Sequence, residues 1–293
     1  MVIAQLTGGV GNQLFQYATA RAVAHRNGVP LKLDTSWFER YSQRTYALGG
    51  FRTEASVATT EEIDELCPPR WSLRWAVGQV RDRTRPYSRR RVVRERSKRF
   101  DPAILKVGGD TYLIGCWQCE RYFMDVAELI RRELAFITPP DERNAELLSR
   151  IDATDSVSLH IRRGDYVTDP VLADIYGTPG LQYYTRALEV VAEHADKPRV
   201  FLFSDDIPWA RENLVTNLPT EFVCHNGPGK EIEDLRLMSR CRHHIIANSS
   251  FSWWGAWLAE HPGQLVIAPD PWFRDHKWAP ADIVPERWTT LPA

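Results

Sequence analysis

The sequence predicts an α/β protein with two lobes of parallel sheet and a cleft between them. Strand, polar turn and helix alternate through residues 156–268, the pattern of a parallel sheet covered by helices on its faces. The amino terminus opens with a strand–turn–helix–strand unit of the same kind. A Thr138-Pro-Pro-Asp141 break separates the two stretches, and 293 residues suffice for two cores of ordinary size. The expected lobes are residues 1–150 and 151–293, with the C-terminal tail packing back on the first lobe.

The elements follow in order. Residues 3–6 form an apolar strand, and Thr7-Gly-Gly-Val-Gly-Asn12 a glycine-rich turn. Residues 13–26 form a helix with Leu14, Ala18 and Ala22 on one face, stopped by Asn27-Gly28. Residues 31–34 are a second strand. Residues 40–100 carry little periodicity. Residues 111–115 are a strand and 123–134 a helix, and the break at 138–141 starts a helix ending near Arg150. Residues 156–161 alternate apolar and polar side chains and turn at Gly164, where glycine lets the backbone bend. Helix 182–195, strand 199–203, a short helix from Pro208 and strand 220–224 follow. Helix 231–241, strand 244–247, a Trp-rich helix 251–261 and a final strand 265–268 complete the chain.

Composition narrows the function. Hydrophobic content of 43% and charged content of 26% fit a globular chain, not a disordered one. A net charge of −1 gives no global pull toward nucleic acid. No apolar run approaches the roughly 18 residues that span a bilayer, and the amino terminus lacks the features of a signal peptide. Five cysteines, an odd number, fit a reducing, cytoplasmic compartment. Cys116-Trp-Gln-Cys119 has redox or half-zinc spacing, yet Cys67, Cys224 and Cys241 form no second pair, so buried thiols are the better reading. From Arg81 to Arg99 there are ten Lys or Arg and two acids. This stretch reads as a solvated, partly helical face. A second reading docks it on anionic lipid at the inner face of the membrane, or on a polyanionic acceptor.

Four turns at strand ends carry chemistry. Gly8-Gly-Val-Gly-Asn-Gln13 lacks the third glycine of a dinucleotide fingerprint, although Asp34 stands where the ribose-binding acid belongs. Such a turn can still offer backbone N–H groups to a phosphate or sugar. In His160-Ile-Arg-Arg-Gly-Asp165, Arg162 and Arg163 put bidentate anion-binding groups at a strand's carboxyl end, where open α/β sheets bind ligands. Ser204-Asp-Asp206 either binds ribose hydroxyls or a base edge, or caps the next helix. Asn248-Ser-Ser-Phe-Ser252 places three hydroxyls and free N–H groups at a helix start, a phosphate receptor. There is no Asp-x-Asp to hold a divalent ion, so a diphosphate leaving group must find its positive charge in arginine.

Taken in order, these motifs resemble family 11 glycosyltransferases, the α-1,2-fucosyltransferases, over nearly the whole chain. The matching stretches are Gly8-Gly-Val-Gly-Asn-Gln-Leu-Phe-Gln-Tyr17, Trp117-Gln118, Glu120-Arg-Tyr-Phe123 and His160-Ile-Arg-Arg-Gly-Asp-Tyr166. Phe203-Ser-Asp-Asp206, Glu233-Asp-Leu-Arg-Leu-Met238, Asn248-Ser-Ser-Phe-Ser-Trp-Trp-Gly-Ala-Trp257 and Asp282-Ile-Val-Pro-Glu-Arg-Trp288 complete the set. The resemblance implies a GT-B architecture of two Rossmann-like lobes with the donor held mainly by the second. It implies transfer of L-fucose from GDP-β-L-fucose to the 2-hydroxyl of a terminal galactose, with inversion and without a metal or other cofactor. The acceptor would be a galactose-terminated oligosaccharide or glycolipid, such as an O-antigen repeat or a lactose-like end.

On that reading Arg162 stabilises the departing β-phosphate and Arg163 supports it. Asn248, Ser249, Ser250 and Ser252 complete the cradle, and His160 with Asp205 or Asp206 contacts guanosine. Gly9, Gly11, Asn12 and Gln13 face fucose or acceptor, and Asp165 is the candidate general base. Two other classes compete: a nicotinamide-dependent oxidoreductase, and a carbohydrate-binding protein whose surface tryptophans stack on sugars.

Overall fold

The computed structural model describes residues 1–41, 44–278 and 281–293. The chain divides into two compact units, Met1–Ile137 and Thr138–Ala293. In the first unit, β1 (Val2–Gln5), β2 (Leu31–Asp34), β3 (Ser56–Val57), β4 (Val92–Arg94) and β5 (Thr111–Ile114) form a sheet in the order β3-β2-β1-β5-β4. Every pairing is parallel. The helix Val10–Asn27 is buried around most of its circumference, from Leu14 and Phe15 to Tyr17 and Ala18. It closes on Gly28 in the left-handed region, as the Asn27-Gly28 signal predicts. Two of its polar side chains are drawn inside. Tyr17 donates to Glu133, and Arg21 pairs with the same carboxylate at 2.8 Å. Within the stretch that lacked periodicity, β3, β4 and the helices Thr60–Leu66 and Leu73–Thr84 form.

The second unit holds β6 (Ser156–Ile161), β7 (Arg199–Ser204), β8 (Thr220–Val223), β9 (His243–Ile245), β10 (Val266–Asp270) and β11 (Thr289–Pro292). Their order is β11-β10-β9-β6-β7-β8, again all parallel. All six residues of β6 are buried, because helices cover both faces of this sheet. One face carries Val157, Leu159 and Ile161 against the helix Leu181–His194, through Tyr183, Tyr184 and Val191. The other carries Phe201 and Phe203 against the helices Glu142–Asp152 and Glu231–Arg240.

One expected boundary shifts for packing reasons. The helix Glu142–Asp152 belongs to the second unit, not the first, because Leu147 and Ile151 bury against Phe201, Phe203 and Met238. The tail adds β11 to the second sheet. Trp253 holds it there, donating its indole N–H to Ile283 O at 2.8 Å and packing on Trp288.

The Tyr183 hydroxyl lies 2.6 Å from Ile246 O and 3.0 Å from Ile267 O, beside the ends of β9 and β10. Tyr183→Phe strips a buried carbonyl of its donor and should cost about 1–2 kcal/mol. A denaturant titration reads this as a lower midpoint at unchanged slope; an unmoved midpoint removes the hydroxyl from the account.

Candidate active site

Both sheets start at their centre. In the second unit the chain runs from β6 out through β7 to β8, then crosses back to β9 and on to β11. This places a topological switch point between β6 and β9, where the carboxyl ends of open α/β sheets receive ligands. The motifs His160–Asp165, Ser204–Asp206 and Asn248–Ser252 follow β6, β7 and β9, so the fold gathers three sequence-distant turns on one edge.

The two arginines at the end of β6 are fixed by carboxylates. Arg162 Nη2 binds Asp165 Oδ1, and its Nη1 lies 2.8 Å from Asp205 Oδ2. Burial disfavours the Arg162 cation, but Asp205 and Asp165 outweigh burial and raise its pKa, so it carries its charge throughout. These contacts use two of five guanidinium N–H donors, leaving up to three for an anion. Arg163 pairs with Asp206 at 3.1 Å, and its guanidinium lies 3.9 Å over the Trp209 ring. Clamped between carboxylate and indole, it is oriented before any ligand arrives.

Gly164 earns its place by closeness, not by backbone freedom. Its φ lies outside the left-handed region, contrary to the expectation of a strain-relieving bend. A Cβ there would sit 2.5 Å from Asp205 Oδ2. Asp205 also accepts the Arg163 backbone N–H at 2.8 Å, so one carboxylate ties together the turn and the first arginine.

Several assignments change once their partners are visible. Asp206, expected on guanosine, caps the helix Ile207–Asn213 by accepting from Trp209 N at 3.1 Å while it holds Arg163. Asp205 is likewise committed to the arginines. Asn248 turns inward, donating to the carbonyls of Tyr176, Gly177 and Trp272. Ser249 caps the helix Ser250–Leu258, and buried Ser252 donates to Ser249 O. Ser250, the first residue of that helix, is half-buried, and the Phe251 N–H is taken up by the Ser249 hydroxyl at 3.3 Å. Asp165, expected as a base, is bound to Arg162.

His160 is buried on the sheet face that carries Phe203, with its ring 5.7 Å from that of Phe251. Burial first, then the Arg162 charge, pushes its pKa down to about 3, so the ring is neutral at physiological pH.

Two further groups stand near these turns, with roles that their place in the sequence does not reveal. Tyr166 stacks on Tyr176 at 4.5 Å and donates to Asn248 O at 3.4 Å, which pins the segment after β6 to the end of β9. Asp234 lies in the first turn of the helix that follows β8 and accepts from Asn226 at 2.9 Å. Among the described residues no cation pairs with it, and burial raises its pKa to about 7 against the effect of that hydrogen bond. A half-buried carboxylate with a raised pKa and no counter-ion is a marker of function. Its signal in the sequence was the matched Glu233-Asp-Leu motif.

In the first unit the glycine turn follows β1, at the switch point between β1 and β5. Gly8 adopts φ +74° and requires its glycine. Gly9 precedes the helix as its cap, and Gly11 is buried within it. Asn12 accepts from Gln118 at 2.8 Å, joining the turns after β1 and β5. Gln13 is not at the surface: it is 0% exposed and donates to Gly8 O and Thr45 O while accepting from Ala47 N. These bonds anchor the loop through Thr45 and Ala47.

Asp34, the acid a nicotinamide site would need, is buried and accepts from Ser36 N and the Tyr112 hydroxyl. Most of the tryptophans, including Trp117, Trp253, Trp254 and Trp257, are core residues, which leaves few to stack on sugars. All five cysteines are free thiols, and burial raises the pKa of Cys116. Among the described residues no group of three or more His, Cys, Asp or Glu is arranged to hold a metal ion, and no helix is long and apolar enough to cross a membrane.

Residues 94–291 match the family described as Glycosyl transferase family 11. An Escherichia coli alpha-1,2-colitosyltransferase is 35% identical over 300 residues, covering 99% of this chain and 99% of its own. The E. coli O-antigen biosynthesis glycosyltransferase WbnK is 31% identical over 293 residues, covering 92% of this chain and 93% of its own. Among solved structures, NodZ alpha-1,6-fucosyltransferase soaked with GDP-fucose aligns with a TM-score of 0.53 at 18% identity, over 88% of this chain and 92% of that one. At that identity the likeness speaks for the fold alone, a GT-B type pair of Rossmann-like units.

Proposed function

Because the chain belongs to glycosyltransferase family 11, we propose that it moves L-fucose from GDP-β-L-fucose to the 2-hydroxyl of a terminal β-galactoside, with inversion and without a metal. The observation that carries this reading is the carboxylate-oriented pair Arg162 and Arg163 at the switch point beside β6. As the bond from fucose C1 to the β-phosphate oxygen breaks, negative charge grows on the diphosphate and positive charge on the sugar ring. Preoriented guanidinium groups stabilise that oxygen in the transition state, the task a divalent ion performs in other sugar-nucleotide enzymes. Ser250 and the N–H groups opening its helix complete the anion site.

The guanine end of the donor is assigned to Asp234, with His160 and Phe251 on the same sheet face. β8 lies two strands from β6, roughly 10 Å at ordinary strand spacing, a span suited to a nucleoside running from the phosphates. A carboxylate accepts from guanine N1–H and the exocyclic amine together, which a neutral carboxyl does poorly. Asp234 is held partly protonated near neutral pH by its burial, so binding should favour the charged form. The dissociation constant for GDP should rise about tenfold from pH 8 to pH 6 by linkage. Asp234→Asn should bind weakly and lose that dependence. A wild-type affinity flat across this range removes Asp234 from the base site.

Asp165 acts here as a positioning residue for Arg162, not as the proton acceptor. Asp165→Asn should lower kcat by about tenfold while leaving the shape of its pH profile unchanged. A general base is worth about 10²–10⁴ in rate, so a loss of that size with an altered acidic limb would restore the base.

The donor sugar is the point on which relatives differ, since one is a colitosyltransferase. Incubation with GDP-fucose or GDP-colitose and a lactose-type acceptor, with linkage analysis of the product, tests the assignment. An α-1,2-fucosyl product formed faster than the colitosyl one supports it. Transfer of colitose alone, or linkage at another hydroxyl, replaces it.

A further inference from the structure

The helix Leu73–Thr84 is mounted with an apolar face toward solvent. Leu73 is 86% exposed, Val77 68% and Val80 64%, and the preceding Trp71 is 89% exposed. The three helical positions are spaced i, i+4 and i+7, so they form one stripe. The orientation is fixed from the opposite side. Asp82 is buried there, and its carboxylate accepts the backbone N–H groups of Arg91 at 3.3 Å and Val92 at 3.2 Å, at the start of edge strand β4. Ser72 caps the helix by accepting from Trp75 N.

Positive charge predominates around the stripe, although the exposed acid Glu65 lies near Leu73. Arg74, Arg81, Arg83 and Arg85 are exposed beside it. The two acids of the basic stretch 81–99 both turn inward. Asp82 holds β4, and Glu95 accepts from Cys116 N and Trp117 N while pairing with Lys98. Arg81, Arg83 and Arg85 project positive charge there, while Arg96 and Lys98 pair with Asp101 and Glu95. The sequence reads 81–99 as a solvated face, with docking on anionic lipid or a polyanionic acceptor as its second reading; the apolar stripe precedes that stretch, at 71–80.

We infer that Trp71 and the outer face of helix Leu73–Thr84 dock this protein on an anionic phospholipid surface. An apolar stripe rimmed by arginines matches the interfacial layer of a bilayer, with aliphatic groups entering the acyl boundary and guanidinium groups meeting headgroup phosphates. A cavity of about 340 Å³ against the same helix is lined by apolar Leu66, Leu73, Val77 and Val92, with Arg81 and Arg91 facing Glu65 and Asp82. A second copy of the chain is a poorer occupant, because a two-fold contact through the stripe would bring like-charged flanks together. The inference is independent of which sugar the enzyme transfers.

Cosedimentation of the full chain with phosphatidylethanolamine–phosphatidylglycerol vesicles, against pure phosphatidylcholine vesicles, tests it. Binding is expected only to the anionic vesicles and should weaken as salt is raised. The double variant Leu73→Ser, Val77→Ser should bind at least about tenfold more weakly at an unchanged unfolding midpoint. Arg81→Gln with Arg83→Gln should lose about tenfold or more and flatten the salt dependence. Absence of binding at low salt, or full binding by both double variants, overturns the inference. So does a dimer in sedimentation equilibrium that Leu73→Ser, Val77→Ser dissolves while no vesicle binding is seen.

Discussion

Arg162→Ala is expected to lower kcat by about 10²–10³ with the fold intact, the loss typical of removing one donor to a developing anion. Arg162 meets Asp165 and Asp205 through its Nη1 and Nη2 and keeps its remaining N–H groups for the diphosphate. The alanine variant also leaves those two carboxylates facing the incoming anion, so the donor KM should rise as well. Arg162→Lys restores a charge but not the fork, and should recover only part of the rate. Steady-state kinetics with a thermal-unfolding control separate these effects. Arg162→Ala with near wild-type kcat removes the arginine from catalysis.

The second large effect is expected from a single methyl group. Gly164→Ala places a Cβ within 2.5 Å of Asp205 Oδ2 and 3.1 Å of Asp205 Cγ. Asp205 has a short side chain, so it cannot yield without releasing Arg162 Nη1 and the Arg163 amide. Turnover should fall by about tenfold to a hundredfold, since reacting groups displaced by about an ångström lose that much. The unfolding free energy should fall by only about 1–3 kcal/mol, the ordinary cost of overpacking. Asp205→Ala in the Gly164→Ala background should add little further loss, because both changes remove the same contact. Additive losses would show that glycine serves something other than the Asp205 approach.

Much of the fold was legible because its elements are locally consistent. β1, β2, β6 and β7 are short apolar runs with polar turns after them, and Gly28 stops the first long helix in the left-handed conformation that glycine permits. What escaped was set by distant packing. The helix Glu142–Asp152 gives no local sign that Leu147 and Ile151 bury against Phe201 and Phe203. Residues 40–100 hid their helices because one of them, Leu73–Thr84, carries its apolar stripe outward and its aspartate inward, the reverse of the pattern that marks a core helix.

The same division holds at the site. Arg162 and Arg163 were legible as charged groups at the carboxyl end of a buried strand. Their carboxylate partners were legible as residues but not as partners, because Asp205 and Asp206 reach them across forty residues of chain through the pairing of β6 with β7. Gln13 and Asn248 look like ligand groups in sequence, since an amide at a glycine turn or helix start serves either purpose. Only their bonds to Thr45 O, Ala47 N and the carbonyls of Tyr176 and Trp272 show that they hold loops. Asp234 lies within a matched motif, yet its distinguishing property, partial burial without a counter-ion, is one that a linear sequence does not display.

The most direct measurement is a crystal structure with GDP-fucose or GDP bound. The account predicts β-phosphate oxygens about 3 Å from the Arg162 guanidinium, beside the start of helix Ser250–Leu258, with no ion between them. A diphosphate bound away from the end of β6, or coordinated to a metal, contradicts it.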